Sequence, residues 1–538
     1  MRPKPAPRAE RILTAMLLLL ATLLWPQPGS AASETVHLQP TPADDLPKAD
    51  LDIEDDGIHL GLDDAIEIAL RRDLGLLVER YNWTQTNLGV LQDLGIYDLN
   101  AYASLSSSDS TQPSSQVIEG VGTITTKNQA WNLGLSQLLP TGGTVNVTLL
   151  SANKTSSNNK NLPLNPLYSA NSSVTLTQPL LQGVGRLATN RQILVARTNA
   201  AQSEADFEQQ VSILIQDVDS AYWNLVEAQD QLGVAHEALD LAKTLHEQNK
   251  VRVEVGTLAP LELIQSQAGI AGREEDIIRA ESAVGDAADH LRQLLNLDQG
   301  PLWDKGIIPT TDPKAQRLDV NVDDAIKTAL ADRPEIASLL HQIDGLKISQ
   351  RYSRNQLLPQ LDLRVDYGLA GQAGKNPNGG GGDLSDAVHQ IRGRDFDSWR
   401  AQLTVSYPIQ NRQARAQAAI AEAALEQGRA RLAQLKQQVL TDVRTAVRQV
   451  QTTAKQIDSA KISRELEEKN LDAERKRYEN GMSSSFQVLQ IQDDLTQARS
   501  REVSAITAYR RALAGYYYAI GRLIHHQGVE IDAGGDAY

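Results

Sequence analysis

The chain has 538 residues, 41% of them apolar and 22% charged, but only 4% aromatic, with three Phe and three Met. At about 150 residues per domain the length allows three or four compact domains, yet such cores lean on large side chains, and long, closely packed helices with polar strands suit this composition better. The balance of 52 basic against 67 acidic residues, −15 overall, disfavours nucleic acid as a partner, and the absence of cysteine excludes disulfides, thiolate metal sites, a cysteine nucleophile and a lipidated N-terminal cysteine.

Residues 1–32 read as a signal peptide. Arg2, Lys4, Arg8 and Arg11 form a basic start, an apolar run follows from Ile12 to Trp25, and Ser30-Ala31-Ala32 offers a cleavage site. The apolar run is too short for a membrane anchor, and Pro26 and Pro28 break it. Without this segment the chain keeps 48 basic and 66 acidic residues, a charge of −18. No later stretch reaches 18 apolar residues, so no membrane-spanning helix is expected.

Residues 33–57 read as an acidic, disordered linker. Asp52, Glu54, Asp56 and Gly57 imitate the opening of a calcium loop. However, Asp63 stands where the closing Glu is required, and His59 where an apolar residue is wanted. A solvated linker is the better reading.

An internal repeat organises the rest. Asp63-Asp64-Ala65-Ile66 recurs as Asp323-Asp324-Ala325-Ile326, and Ala69-Leu70 as Ala329-Leu330. Arg252-Val253-Glu254-Val255-Gly256 is matched by Arg477-Tyr478-Glu479-Asn480-Gly481, and the blocks starting at Leu263 and Val488 are parallel. A first repeat at 58–300, a linker at 301–319, a second repeat at 320–526 and a short tail at 527–538 follow. Each copy runs short helix, strands, very long helix, glycine turn, helix.

The long helices carry regular seams. Val211, Leu214, Val218, Ala221, Leu225, Ala228, Leu232, Ala235, Leu239 and Ala242 step by three and four, as in a coiled coil. Residues 187–255 contain no proline and would span about 100 Å as one helix. In the second copy Ala418 through Val439 keep this spacing, and two successive steps of four around Val439 form a stutter. Gly256 and Gly481 fall where each long helix turns back, as helix-ending glycines do.

Between the helices, Leu361, Leu363, Val365, Tyr367 and Leu369 alternate with polar residues. So do Trp399, Ala401, Leu403, Val405, Tyr407 and Ile409, then Trp131, Leu133 and Leu135, and Val145, Val147 and Leu149. One apolar and one polar face at about ten residues per segment fits an outer-membrane β-barrel, although a half-solvated soluble sheet alternates identically. Residues 371–395, with four consecutive glycines at 379–382, read as a long polar loop suited to an extracellular turn.

Together these features resemble the TolC family of outer-membrane efflux proteins over roughly residues 60–522. Pro359, Gln178-Pro179-Leu180 and Tyr407-Pro408-Ile409 resemble its junctions, and Val255-Gly256-Thr257 resembles the tip of its periplasmic hairpin. The resemblance implies an internally duplicated chain, mainly α with membrane β. Three copies would form one outer-membrane β-barrel, four strands from each, continued by a long periplasmic α-helical barrel. It further implies a passive exit duct of a tripartite efflux or type I secretion system in a Gram-negative outer membrane. Its partners would be lipid, a periplasmic adaptor and an inner-membrane pump, and no cofactor would be needed. The implied docking tips are Val255, Gly256, Thr257, Asn480, Gly481 and Met482, and the implied entrance ring is Glu262, Gln487 and Gln490. The family often carries Asp at the positions of Gln487 and Gln490, and the second tip, Asn480-Gly481-Met482-Ser483, departs from Val-Gly-Thr. The first copy also has 31 more residues than the second between its helices, either a longer extracellular loop or additional membrane strands.

No catalytic constellation stands out. The nine histidines are scattered without a His-Glu-x-x-His pattern, and Gly183-Val184-Gly185 reads as a strand-to-helix turn rather than a phosphate cradle. The competing function is a periplasmic coiled-coil structural or adaptor protein without a channel, which would leave the strands inside both repeats unexplained.

Overall fold

The computed structural model describes residues 52–53, 57–114, 122–159, 161–297, 303, 305–313, 316–376 and 379–529. The expected signal peptide at 1–32, most of the acidic segment, including Glu54 and Asp56 of its calcium-like string, and the end of the tail lie outside the described residues.

Each repeat opens with a broken pair of helices, α1 (Leu62–Arg72) with α2 (Leu74–Leu94), and α6 (Val322–Asp332) with α7 (Pro334–Asn355). The break needs one extended residue, supplied by Asp73 and by Arg333, both with ψ 124°. Asp73 then caps α2 by accepting from Leu76 N–H at 2.7 Å.

The small α3 (Arg186–Thr189) leads into α4 (Arg191–Glu254), 64 residues long, which folds back as α5 (Pro260–Leu294). The continuous helix expected from residue 187 is thus interrupted once, at Asn190. The second repeat matches with α9 (Arg412–Glu479), 68 residues, α10 (Ser485–Ala519) and the terminal turn α11 (Leu523–His526). At 1.5 Å per residue the two long helices run about 96 and 102 Å. Helix α9 continues through the stutter, because Val439, Val443, Val447 and Val450 pack against Val320, Ala325, Ala329 and Ile336 from the start of the repeat. Burial of these side chains, about 1.5–3 kcal/mol for each large one, fixes the short helices to the long one.

A three-stranded sheet joins the repeats. β1 (Asp52–Ile53) pairs antiparallel with β2 (Ile58–Leu60), which pairs parallel with β7 (Ile307–Pro309). Two segments read as linkers, 33–57 and 301–319, therefore each contribute a strand. β2 is bonded along both edges by these two strands, and helix side chains bond the backbone around the sheet. Tyr222 Oη donates to Leu60 O at 3.0 Å and accepts from Thr311 N–H at 3.1 Å, while Tyr509 Oη donates to Gln316 O at 3.1 Å.

The large sheet has six strands, β3 (Asn100–Pro113), β4 (Thr123–Leu138), β5 (Thr144–Ser157), β6 (Leu167–Pro179), β8 (Gln360–Gly374) and β9 (Phe396–Ser406). They lie in that order, each antiparallel to the next. This corrects the four strands implied by the family resemblance: the 31 additional residues of the first repeat supply the strand pair β4 and β5. A bulge at Leu149–Leu150 brings Leu150, not Leu149, opposite Leu133, so the alternation read through Leu149 changes phase there. The register leaves one face apolar (Leu105↔Trp131, Leu133↔Leu150, Val174↔Tyr367, Leu363↔Leu403) and the other polar (Ser104↔Asn132↔Ser151, Thr175↔Asp366↔Arg400).

The segment expected to be a polar loop holds a helix, α8 (Leu384–Gly393). Asp383 and Asp386 form a capping box, and Leu384, Ala387, Val388 and Ile391 share one face, which packs on Ala170 and Ala373. A Cβ on Gly371 would fall 1.9 Å from Ala387 O, so glycine is required beneath the helix.

Candidate functional site

The hairpin tips follow from helix-end chemistry. Gly256 (φ +78°) and Gly481 (φ +75°) each occupy the left-handed region just past a helix end. Thr257 N–H donates to Arg252 O at 2.9 Å and Gly256 N–H to Val253 O at 3.0 Å. Met482 N–H to Arg477 O and Gly481 N–H to Tyr478 O repeat the pattern at 2.9 and 3.0 Å. Both tips are thus Schellman turns. Val255 is 68% and Met482 64% exposed, and Gly256, Thr257, Asn480 and Gly481 are exposed beside them. Val251, Leu261, Ile264 and Phe486 add apolar surface within two turns of the glycines. Sequence reasoning missed these four. Their signal was an apolar residue off the coiled-coil seam close to a helix end.

The two hairpins are bound to each other near the tips. The Arg252 guanidinium donates to Tyr478 O at 2.9 Å and Glu479 O at 2.7 Å, and lies 4.5 Å from the Tyr478 ring centre. Tyr478 in turn donates to the buried Asn249, above a cluster of Leu245, Leu471, Val488, Ile491 and Leu495. One turn further along, the Ser485 hydroxyl donates to the Glu262 carboxylate, and about two to three turns beyond that Arg273 pairs with Asp493. Glu262 is therefore half-buried and engaged between α5 and α10. Gln487 and Gln490 are exposed on α10, and Gln490 reaches Asp494 at 3.5 Å. The three residues expected as an entrance ring all lie within the first turns after the two tips.

Higher on α4 two acids behave in opposite ways. Asp219 is 4% exposed and one of its carboxylate oxygens has no hydrogen-bond partner. Burial pushes its carboxyl up to about 7, against the pull of Trp223, Arg510 and Arg511. Burial also opposes ionisation of Glu227, but Ser504, Arg511 and Thr507 donate to it and hold it below the ordinary carboxylate range.

At the other end of the long helices stands the six-stranded sheet, with an apolar belt on one face and hydroxyl, amide and charged groups on the other. Among the described residues no helix is long and apolar enough to cross a membrane, and no group of three or more His, Asp or Glu could hold a metal ion.

Comparison with known proteins accounts for this architecture. The sequence profile of the outer membrane efflux protein family matches residues 96–297 and again 325–522, once in each repeat. No curated protein matches the chain in sequence. Among solved structures the chain is similar to the Campylobacter jejuni CmeC outer membrane channel, at 16% identity and a TM-score of 0.64, over 87% of this chain and 90% of that one. It is similar to the outer membrane protein VceC of Vibrio cholerae, at 14% identity and 0.61, over 86% and 96%. It also resembles the MtrE outer membrane channel of Neisseria gonorrhoeae in its open state, at 17% identity and 0.59, over 86% and 89%. Those identities carry the fold, and the two profile matches carry the family. The chain belongs to the outer membrane efflux protein family, a family of channels, and serves as the exit duct of an efflux system.

Proposed function

We propose that three copies of the chain assemble into a continuous duct through the outer membrane of a Gram-negative bacterium and deep into the periplasm. The observation that carries this is the joining of a sheet, apolar on one face and polar on the other, to two helical hairpins about 100 Å long in the same chain. The apolar face meets lipid and the polar face water. The helices continue the aqueous path toward an inner-membrane pump that supplies both energy and selectivity. The duct is passive: it positions no reacting groups and does no chemistry.

The tips carry the docking surface for a periplasmic adaptor. Val255, Gly256, Thr257, Asn480, Gly481 and Met482 are supported in this role by their exposure and by the apolar residues around them. Glu262, Gln487 and Gln490 line the entrance just above. A carboxylate ring in a narrow mouth favours cations. With two of the three positions amides, that preference is weaker than paired Asp rings would give.

Mass measurement of the detergent-extracted protein, joined to membrane fractionation, tests the assembly. Three copies per particle in the outer-membrane fraction are expected. A monomer in the soluble periplasmic fraction would instead fit a coiled-coil structural protein and overturn the duct.

A further inference from the structure

The first repeat gives four strands to the large sheet and the second only two. The surplus hairpin, β4 with β5, is bonded along its length on both sides, from Asn100↔Ser136 to Pro113↔Thr123 against β3 and from Thr144↔Thr177 to Thr155↔Leu167 against β6. Its closing turn, residues 139–143, is seated on the junction between sheet and helices. Thr141 Oγ1 donates to Gln178 Oε1 at 2.7 Å, and Gly185 N–H donates to Thr141 O at 3.0 Å. Gly142 has φ +89°, and a Cβ there would lie 2.7 Å from Gly183 O, so this seat accepts only glycine without rearrangement. On the polar face Asn132 donates to Ser104 Oγ at 3.1 Å and accepts from Ser151 Oγ at 2.6 Å, a bridge across three strands.

The outer strands β3 and β9, 14 and 11 residues long, are exposed at every residue and bonded along one edge only. An open edge of that length is not tolerated in lipid. Six strands are also fewer than the roughly eight of the smallest membrane barrels, so the sheet cannot close on itself. With six alternating strands, β3 and β9 run in opposite directions, which suits them to pair across copies.

We propose that β9 of one copy pairs antiparallel with β3 of the next, and that the ring closes at eighteen strands rather than the twelve that four per chain would give. The outlet is then a wide pore suited to bulky hydrophilic solutes. This rests on the three-copy reading above. At a strand spacing of about 4.8 Å and a tilt of about 40°, eighteen strands give a backbone diameter of about 36 Å, against about 24 Å for twelve. The polar face of β3 to β6 carries no charged residue, and that of β8 and β9 carries Asp362, Arg364, Asp366 and Arg400, which balance. A lumen neutral in sum selects by size more than by charge.

The absence of native cysteine makes the test direct. Pairs of substitutions such as Ser104→Cys or Ser106→Cys on β3 with Ser398→Cys or Gln402→Cys on β9 are oxidised in the assembled full chain and run without reductant. Disulfides between copies are expected, with the ladder ending at a covalent trimer. A particle of three copies by mass that forms no β3–β9 disulfide at any register would overturn the eighteen-strand outlet and leave the duct standing. A ladder ending at two copies would overturn both. A variant lacking residues 123–157 supplies the second readout. Its exclusion limit for polyethylene glycol added from the extracellular side should fall by about 12 Å in diameter, the difference between the two barrels, and an unchanged limit in an assembled trimer would count against the proposal. If that variant fails to assemble, the disulfide pattern of the full chain still decides.

Discussion

Asp219 and Glu227 sit two turns apart on one helix, and their opposite behaviour shows that partners, not residue type, set a buried acid's charge. Since the folded value of Asp219 is raised to about 7, the native state binds a proton that the unfolded state has released. Stability from this site is complete below about pH 4 and is lost as pH rises toward 7. Asp219→Asn is expected to unfold at the same denaturant concentration as the parent at pH 4. By pH 8 it should be more stable, by at most about 4 kcal/mol. Unfolding curves across that range check it, and a gap that does not change with pH would contradict the assignment. Glu262→Gln isolates charge from contact, because the amide oxygen still accepts from Ser485. Cation preference in bilayer recordings should fall while conductance stays close to the parent's. Unchanged preference would remove Glu262 from the entrance ring. The entrance position of Glu262 was implied by the family resemblance, but its contact was not legible: Ser485 lies 223 positions from Glu262, and no local pattern reports that separation.

At the scale of elements, legibility followed periodicity. The long helices and the strands β8 and β9 declare themselves because each keeps an apolar stripe at the period its backbone requires. Strand β3 does not. Between Asn100 and Pro113 the large apolar or aromatic side chains are Tyr102 and Leu105, in a field of Ser, Thr and Asp, and β4 alongside makes it a strand. Helix α8 was hidden for another reason: the glycines at 379–382 dominate the local composition, although the capping box begins at the next residue. The tip glycines were readable because left-handed helix ends demand them, whereas the clamp between hairpins was not. Arg252 makes two backbone bonds and a ring contact to the other hairpin. Arg252→Ala should weaken the clamp by about 1.5 kcal/mol, shifting the balance of closed and parted tips roughly tenfold. Lysine, a single ammonium without the planar fork, should restore only part of this. Open probability in bilayers reads the effect, and a variant indistinguishable from the parent would show that the clamp does not hold the entrance.

At the scale of the whole molecule, the duplication sets the plan and the departures from it set what is particular to this chain. Two copies of one unit give two hairpins of nearly equal length, with tips built from the same turn. The inserted strand pair breaks that equality in the sheet; the four strands implied by the family resemblance did not include it, although the 31 additional residues of the first repeat left room for it. The segment 301–319 is likewise tied into the whole molecule, bonded at Thr311 by Tyr222 and at Gln316 by Tyr509, on helices of different repeats. The family, by contrast, was legible from the outset, because it rests on the order of elements rather than on any one contact. What all of these elements serve is a continuous aqueous path, and single-channel current through the purified full chain in a planar lipid bilayer measures that path most directly. Discrete, ohmic steps of ionic current are expected from the parent, with larger or longer openings when the Arg252 clamp is removed. Protein that inserts as a protease-resistant trimer yet passes no current, with the clamp intact or removed, would contradict the duct.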